Sequence, residues 1–244
     1  MKKLLLLALL FAVSCNKQDQ TLITSDIPYQ GVDTSNKIKV YFANASGYSD
    51  NDEPHFVDCF IAGYESGGAS WKGMIKRDSF VSSSEINGNV LPFMQDSGYI
   101  LMLRNVGVSV YSHLTVDSFY RQGIQVITCS GSNYPFQTSM LPLKNIIVCG
   151  AGDTGNVTSY SCEFYSWHPF NEDPFFYQSY AHAYIAGQIV FIKDYLKCSW
   201  WEARYRARVT GSENNIYHTY NGFGKINIYN AIRYQGAIPN DPYM

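Results

Sequence analysis

From residue 38 onward the chain alternates short apolar runs with helix-length amphipathic ones. Lys37-Ile38-Lys39-Val40-Tyr41-Phe42-Ala43 predicts a first strand and Tyr99-Ile100-Leu101-Met102-Leu103 a buried one. Gly123–Cys129 and Asn145–Cys149 have the same character. All are rich in β-branched residues and apolar at successive positions, as strands covered on both faces require. Residues 112–122 (SHLTVDSFYRQ) predict a helix feeding the strand at Ile124. The longest helical signal runs from Ser179 to Lys197. Ala183, Ala186, Ile189 and Val190 make it apolar around its circumference, so it belongs at the centre of the fold. Strands alternating with helices predict an α/β fold with a mostly parallel sheet between helices.

The first residues follow another pattern. Met1-Lys2-Lys3 is cationic, and Leu4–Val13 is a run of ten apolar residues. At ~1.5 Å per residue such a run is too short for a ~30 Å hydrocarbon layer, and it reads as a secretory signal. Ala12-Val13-Ser14-Cys15 then gives way to polar Asn16-Lys17-Gln18-Asp19-Gln20. A Cys directly after Ser at the end of the apolar run resembles a bacterial lipoprotein signal. That resemblance implies a lipid on Cys15, which becomes the mature N-terminus and anchors the protein without spanning the membrane. The expected organisation is a signal over residues 1–14, a polar tether over 15–36 and one domain over 37–244. The expected location is the cell envelope, on a bacterial outer membrane or cell surface.

Composition narrows the function classes. Of 244 residues, 46% are apolar and 16% charged, enough to build a core. The net charge is −2, and loss of Lys2 and Lys3 with the signal leaves 16 basic against 20 acidic residues, a net of −4. Such a balance argues against nucleic acid as partner. Twenty Tyr and fourteen Phe suit either an aromatic groove or aromatic packing. Five cysteines remain beyond Cys15, an odd number with no CxxC spacing. Neither a zinc site nor a full disulfide framework is indicated, and at least one thiol is free and buried. Asp50, Asp52 and Glu53 form the one dense acidic run, read as a solvated loop, so no metal and no cofactor is expected.

Four stretches carry a family resemblance. Gln178-Ser179-Tyr180-Ala181-His182-Ala183-Tyr184-Ile185-Ala186-Gly187 is similar to the nucleophile segment of subtilisin-like serine peptidases, keeping Ser179, Ala181, Ala186 and Gly187. Gly123–Gly131 and Asn145–Ala151 resemble that family's strands ending in Ala-Ala-Gly-Asn and Val-Gly-Ala. Asn221-Gly222-Phe223-Gly224-Lys225-Ile226-Asn227 resembles its closing Gly-x-Gly segment. The collinear set covers roughly residues 38–234 and implies a subtilisin-like three-layer fold. It places Ser179 as nucleophile near a helix N-terminus, where backbone N–H groups and the helix dipole favour negative charge.

The rest of a triad departs from the pattern. The family's Asp-(Ser/Thr)-Gly turn corresponds to Ala45-Ser46-Gly47, with Asn44 one place away, so no carboxylate stands there. The His-Gly-Thr-His-Val-Ala-Gly segment corresponds to a stretch ending Ile61-Ala62-Gly63, which puts Val57 at the base position. His55, two residues earlier, is a substitute candidate. His182 is another, three positions from Ser179 on one helix face. The resemblance places the oxyanion donor at Ser132, or at Asn133 if the loop carries one extra residue. A side-chain donor is worth roughly 10²–10³ in rate, and triad members act as a unit.

The same resemblance implies a peptide groove at Asn105, Val106, Gly107 and Gly131, where an extended ligand pairs with backbone and needs no triad. The leading expectation is a catalytically impaired domain that binds a peptide or protein partner. An active serine endopeptidase with a rearranged base, and an accessory lipoprotein of an envelope transport complex, are the alternatives.

Overall fold

The computed structural model describes residues 39–45, 53–80, 99–104, 113–129, 146–151, 162–166, 177–218 and 222–244. Cys15, Asn105, Val106, Gly107, Gly131, Ser132 and Asn133 lie outside them, as do the side chains of His55 and Ser179. Six strands form one sheet: β1 (Lys39–Ala45), β2 (Met74–Phe80), β3 (Tyr99–Arg104), β4 (Ile124–Cys129), β5 (Ile146–Ala151) and β6 (Phe164–Ser166). Among the described residues five helices accompany them: α1 (Glu53–Glu65), α2 (His113–Arg121), α3 (Tyr177–Leu196), α4 (Trp200–Thr210) and α5 (Ile228–Arg233).

The spatial order is β2-β1-β3-β4-β5-β6, and every pair is parallel. The expected α/β class with a parallel sheet is what forms. The chain steps from β1 outward to β2, then back past β1 to β3, so the direction of winding reverses between β1 and β3. In open α/β sheets this reversal opens a crevice at the carboxyl ends of the strands, where ligands bind.

Strand register explains the layers. Successive side chains in a strand face opposite sides. Val40, Phe42, Ile127, Ile147, Cys149 and Phe164 share one buried cluster with α1 and α3. Tyr41 and Val126, which alternate with them, are buried as well, so both faces are covered. On the first face Phe42 meets the rings of Phe56 and Phe60 of α1 at 4.8 and 5.9 Å. α2 packs on β4 and buries Phe119.

The central place of α3 matches its all-round apolar pattern. Ala181, Ala183, Ile185, Ala186, Ile189, Val190, Phe191 and Ile192 are all buried. Its contact with α1 is made backbone to backbone. A Cβ on Gly63 would stand 2.0 Å from the Tyr184 carbonyl oxygen, and one on Gly187 would stand 2.1 Å from that of Phe60. Further along the pair, the Tyr64 hydroxyl donates to Asp194 Oδ2 at 2.5 Å.

Among the described residues Cys59, Cys149 and Cys162 are buried and Cys198 half-buried, none of them in a disulfide. Burial pushes Cys59 and Cys162 up to about 12 and Cys198 up to about 11, so none of these three is a nucleophile at neutral pH.

Candidate active site at the carboxyl edge of the sheet

Two helices start side by side at this edge. α1 follows β1, so its first turn stands beyond that strand's carboxyl end. α3 runs alongside α1 in the same direction: Phe56 meets His182 at 5.7 Å near their starts, and Tyr64 meets Phe191 at 5.4 Å further on. His55 is the third residue of α1 and Ser179 the third of α3. The topology therefore brings together the first turns that hold the candidate base and nucleophile. Ala45 ends β1 at the same edge, and Gly131, Ser132 and Asn133 follow β4 shortly after its carboxyl end at Cys129.

Both helices begin earlier than the family resemblance implies. α3 starts at Tyr177, which puts Ser179 inside the first turn rather than at the cap. The aligned N–H groups of a first turn still favour negative charge there. α1 starts at Glu53, followed at once by Pro54, a residue suited to a helix's opening position because its missing N–H has no partner to lose. Val57 therefore lies in the second turn, half-buried and packed against the core. An aliphatic side chain in that position transfers no proton.

His182 is a core residue. It is 0% exposed, and its Nε2 lies 3.1 Å from the carbonyl oxygen of Ile127 in β4. A carbonyl only accepts, so Nε2 carries the proton and donates it; that nitrogen is not a free base for Ser179. The imidazole ties α3 to the underside of the sheet. Elsewhere, His218 is exposed, with Nε2 3.3 Å from Glu213 Oε2.

The groove expectation is narrowed by topology. β3 is an interior strand, hydrogen-bonded to β1 on one side and β4 on the other. An extended ligand therefore has no free edge along 99–104, and Asn105, Val106 and Gly107 lie outside the described residues. Aromatic packing absorbs Phe164 and Tyr180, both buried, from the aromatic-rich stretch.

The closing motif is explained by its geometry. Gly222 and Gly224 both take positive φ, +58° and +88°, where a side chain is strained. A Cβ on Gly222 would stand 2.3 Å from two carbonyl oxygens, those of Cys162 and Glu163. The segment pairs with the chain entering β6: Phe223 N–H donates to the Glu163 carbonyl at 2.7 Å and Tyr165 N–H to that of Gly224 at 3.3 Å. Asn227 ends it by capping α5, its side chain accepting from Asn230 N–H at 3.0 Å.

Beside that segment lies a charge cluster that sequence reading missed. Arg204 Nε and Nη2 grip Glu163 at 2.7 and 2.6 Å, and Arg208 Nε adds a third bond at 2.7 Å. Burial alone pushes the Glu163 carboxyl up, but the two guanidiniums outweigh it and hold it below the usual carboxylate range. The cluster welds α4 to the amino end of β6, away from the candidate site. Among the described residues no three His, Cys, Asp or Glu side chains gather to hold a metal ion.

No protein-family model and no curated protein matches this sequence. Among solved structures, the chain is similar to the MycP3 protease from the type VII (ESX-3) secretion system, at 12% identity with a TM-score of 0.41. That likeness covers 54% of this chain and 53% of that one, so the chain spans about half of that protein's length. The chain is also similar to the epidermin leader peptide processing serine protease (EpiP) from Staphylococcus aureus, at 11% identity with a TM-score of 0.49 over 82% of this chain and 76% of that one.

Proposed function

We propose that this chain is a lipid-anchored, subtilisin-like domain that has lost peptidase catalysis and binds a peptide or protein partner at the carboxyl edge of its sheet. The observation that carries this reading is Val57, packed on the core where the family resemblance puts the base. Ala45 at the end of β1, where the resemblance calls for a carboxylate, adds to it. His182 is wholly buried and held to the sheet by its Nε2–H bond to Ile127, which argues against it as the replacement. Recognition by main-chain hydrogen bonds needs none of these groups, so binding is separable from turnover.

A second reading keeps catalysis. His55 stands in the first turn of α1, beside the first turn of α3 that holds Ser179, which favours a serine endopeptidase with His55 as base. Labelling of the purified protein with a fluorophosphonate serine-hydrolase probe separates the two, with Ser179→Ala as control. The binding reading expects no labelling above that control, together with capture of extended peptides that survives Ser179→Ala. Labelling lost in Ser179→Ala and in His55→Ala would overturn it in favour of the peptidase.

A further inference from the structure

In a wholly parallel sheet all strands start at one edge, and the chain enters this one at Lys39. The candidate site occupies the other edge. At the amino edge, exposed Lys72 stands on the loop leading into β2, and exposed Arg121 ends α2 just ahead of β4. Exposed Lys197 follows α3, whose end docks here: Trp200 Nε1–H donates to the Gly123 carbonyl at 2.8 Å. Lys197 also bonds the buried carboxylate of Asp194 at 2.8 Å; among the described residues of this region Glu65 is an exposed acid, and partly exposed Glu213, on the loop that carries the tip, faces His218 at 3.3 Å. The protein beyond its signal is net acidic, so exposed cations on this edge are not a consequence of composition.

A fourth feature joins them. The loop after α4 is held against the chain entering β6 by the Phe223 N–H bond to the Glu163 carbonyl. Its tip turns through Asn214 and Asn215, both at positive φ, and presents Ile216 at 61% and Tyr217 at 39% exposure. Apart from Met244, these are the exposed large apolar residues among the described ones. An aliphatic side chain beside a Tyr, near cations, is the chemistry of a headgroup interface: the apolar part dips in, and the hydroxyl and cations stay with phosphate.

We infer that the amino edge, through Lys72, Arg121, Lys197 and the Ile216–Tyr217 tip, rests on an anionic lipid surface and turns the carboxyl edge away from it. The biological setting rests on the reading of Cys15 as lipid-bearing. About two dozen residues separate Cys15 from Lys39, a reach of at most ~80 Å, and they join the domain at this same edge. A tether of that reach permits either edge to approach the membrane, so the surface chemistry selects the orientation. A ligand then meets the candidate site from the side facing away from the membrane.

The test uses the chain from residue 16 onward, without signal or lipid, mixed with vesicles of phosphatidylglycerol and phosphatidylcholine or of phosphatidylcholine alone. Co-flotation with the anionic vesicles, weakened by 0.5 M salt, is the result expected, since each cation near such a surface contributes about a fivefold gain. Lys72→Glu with Arg121→Glu and Lys197→Glu lowers it at least tenfold, and Ile216→Ser with Tyr217→Ser lowers it with salt sensitivity kept. Circular dichroism checks that both variants fold. No flotation, equal binding to both vesicles, or indifference to charge reversal overturns the inference. A concentration-dependent dimer abolished by Ile216→Ser with Tyr217→Ser also overturns it, assigning the tip to a second copy. On the lipidated protein, a fluorophore at position 72 is quenched by nitroxide lipid and one at exposed position 58 on α1 is not; the reverse overturns the orientation. Metabolic labelling with a fatty-acid analogue, lost in Cys15→Ser, reads the anchor separately from the vesicle measurement.

Discussion

Replacing Glu163 by glutamine removes one negative charge from a site that holds two positive ones. In the native protein both carboxylate oxygens are taken: Oε2 by Arg204 at 2.6 Å, and Oε1 by Arg204 and Arg208 at 2.7 Å each. Glutamine offers one acceptor oxygen and turns an NH₂ toward a guanidinium that can only donate. Arg204 is 4% exposed and cannot reach water to compensate, whereas the Arg208 side chain, 17% exposed, partly can. Removing the buried charge that compensates the two guanidiniums costs about 3–5 kcal/mol. For a domain of this size that lowers the melting temperature by roughly 6–20 °C. Urea unfolding followed by tryptophan fluorescence measures the loss, with Trp201 beside Arg208 as a reporter.

The same variant has a pH signature. The folded Glu163 carboxyl lies below its unfolded value, so its contribution is complete above the usual carboxylate pKa and is lost as pH falls through the lower folded one. Below about pH 4 the wild type therefore loses stability along a limb that Glu163→Gln lacks. A stability loss under 1 kcal/mol at pH 7, or an acid limb identical in the two proteins, would refute the reasoning.

Gly63→Ala and Gly187→Ala each drive a methyl into a backbone carbonyl across the α1–α3 contact, and each should cost 1–3 kcal/mol or more in thermal unfolding. Ser199→Ala removes the acceptor of the Glu202 N–H at the start of α4, a loss of about 1 kcal/mol in the same measurement. Cys59 and Cys162 should resist iodoacetamide in the native protein at pH 8, where their thiols stay protonated, and react once urea unfolds it. Fast native-state alkylation at either position, read by peptide mass, would contradict their burial.

Local patterning made much of the framework legible. The apolar runs at 37–43, 99–103, 123–129 and 145–149 became β1, β3, β4 and β5, shifted by two residues or fewer. Interior strands of a parallel sheet are covered on both faces, so their signal is dense. β2 was missed because Lys76-Arg77-Asp78-Ser79 is polar, which an edge strand paired only to β1 tolerates. β6 has three residues, too few for any period to show. α4 escaped because charges fall around it, although Ser199 and Glu202 spell a capping signal that was there to find.

The candidate site was legible only in part. Ser179, Val57 where the resemblance puts the base, and the glycines at 63 and 187 stood out by resemblance, yet their meaning depended on distance. His182 shared a helix face with Ser179 in the pattern, and only the sheet beneath it revealed the Ile127 carbonyl that claims its Nε2. Glu163 and Arg204 sit 41 residues apart, and no local window holds both.

Sequence alone determined the alternation of elements, the centrality of α3 and the acidic balance. These are properties of single positions and short periods. Tertiary structure decided the order of the strands, the meeting of the two helix starts and the burial of one carboxylate between two arginines. It also decided that exposed Lys72, Arg121 and Lys197 and the Ile216–Tyr217 tip stand at the amino edge. Those outcomes depend on contacts between residues far apart along the chain, whose energies arise only when packing removes water from between them.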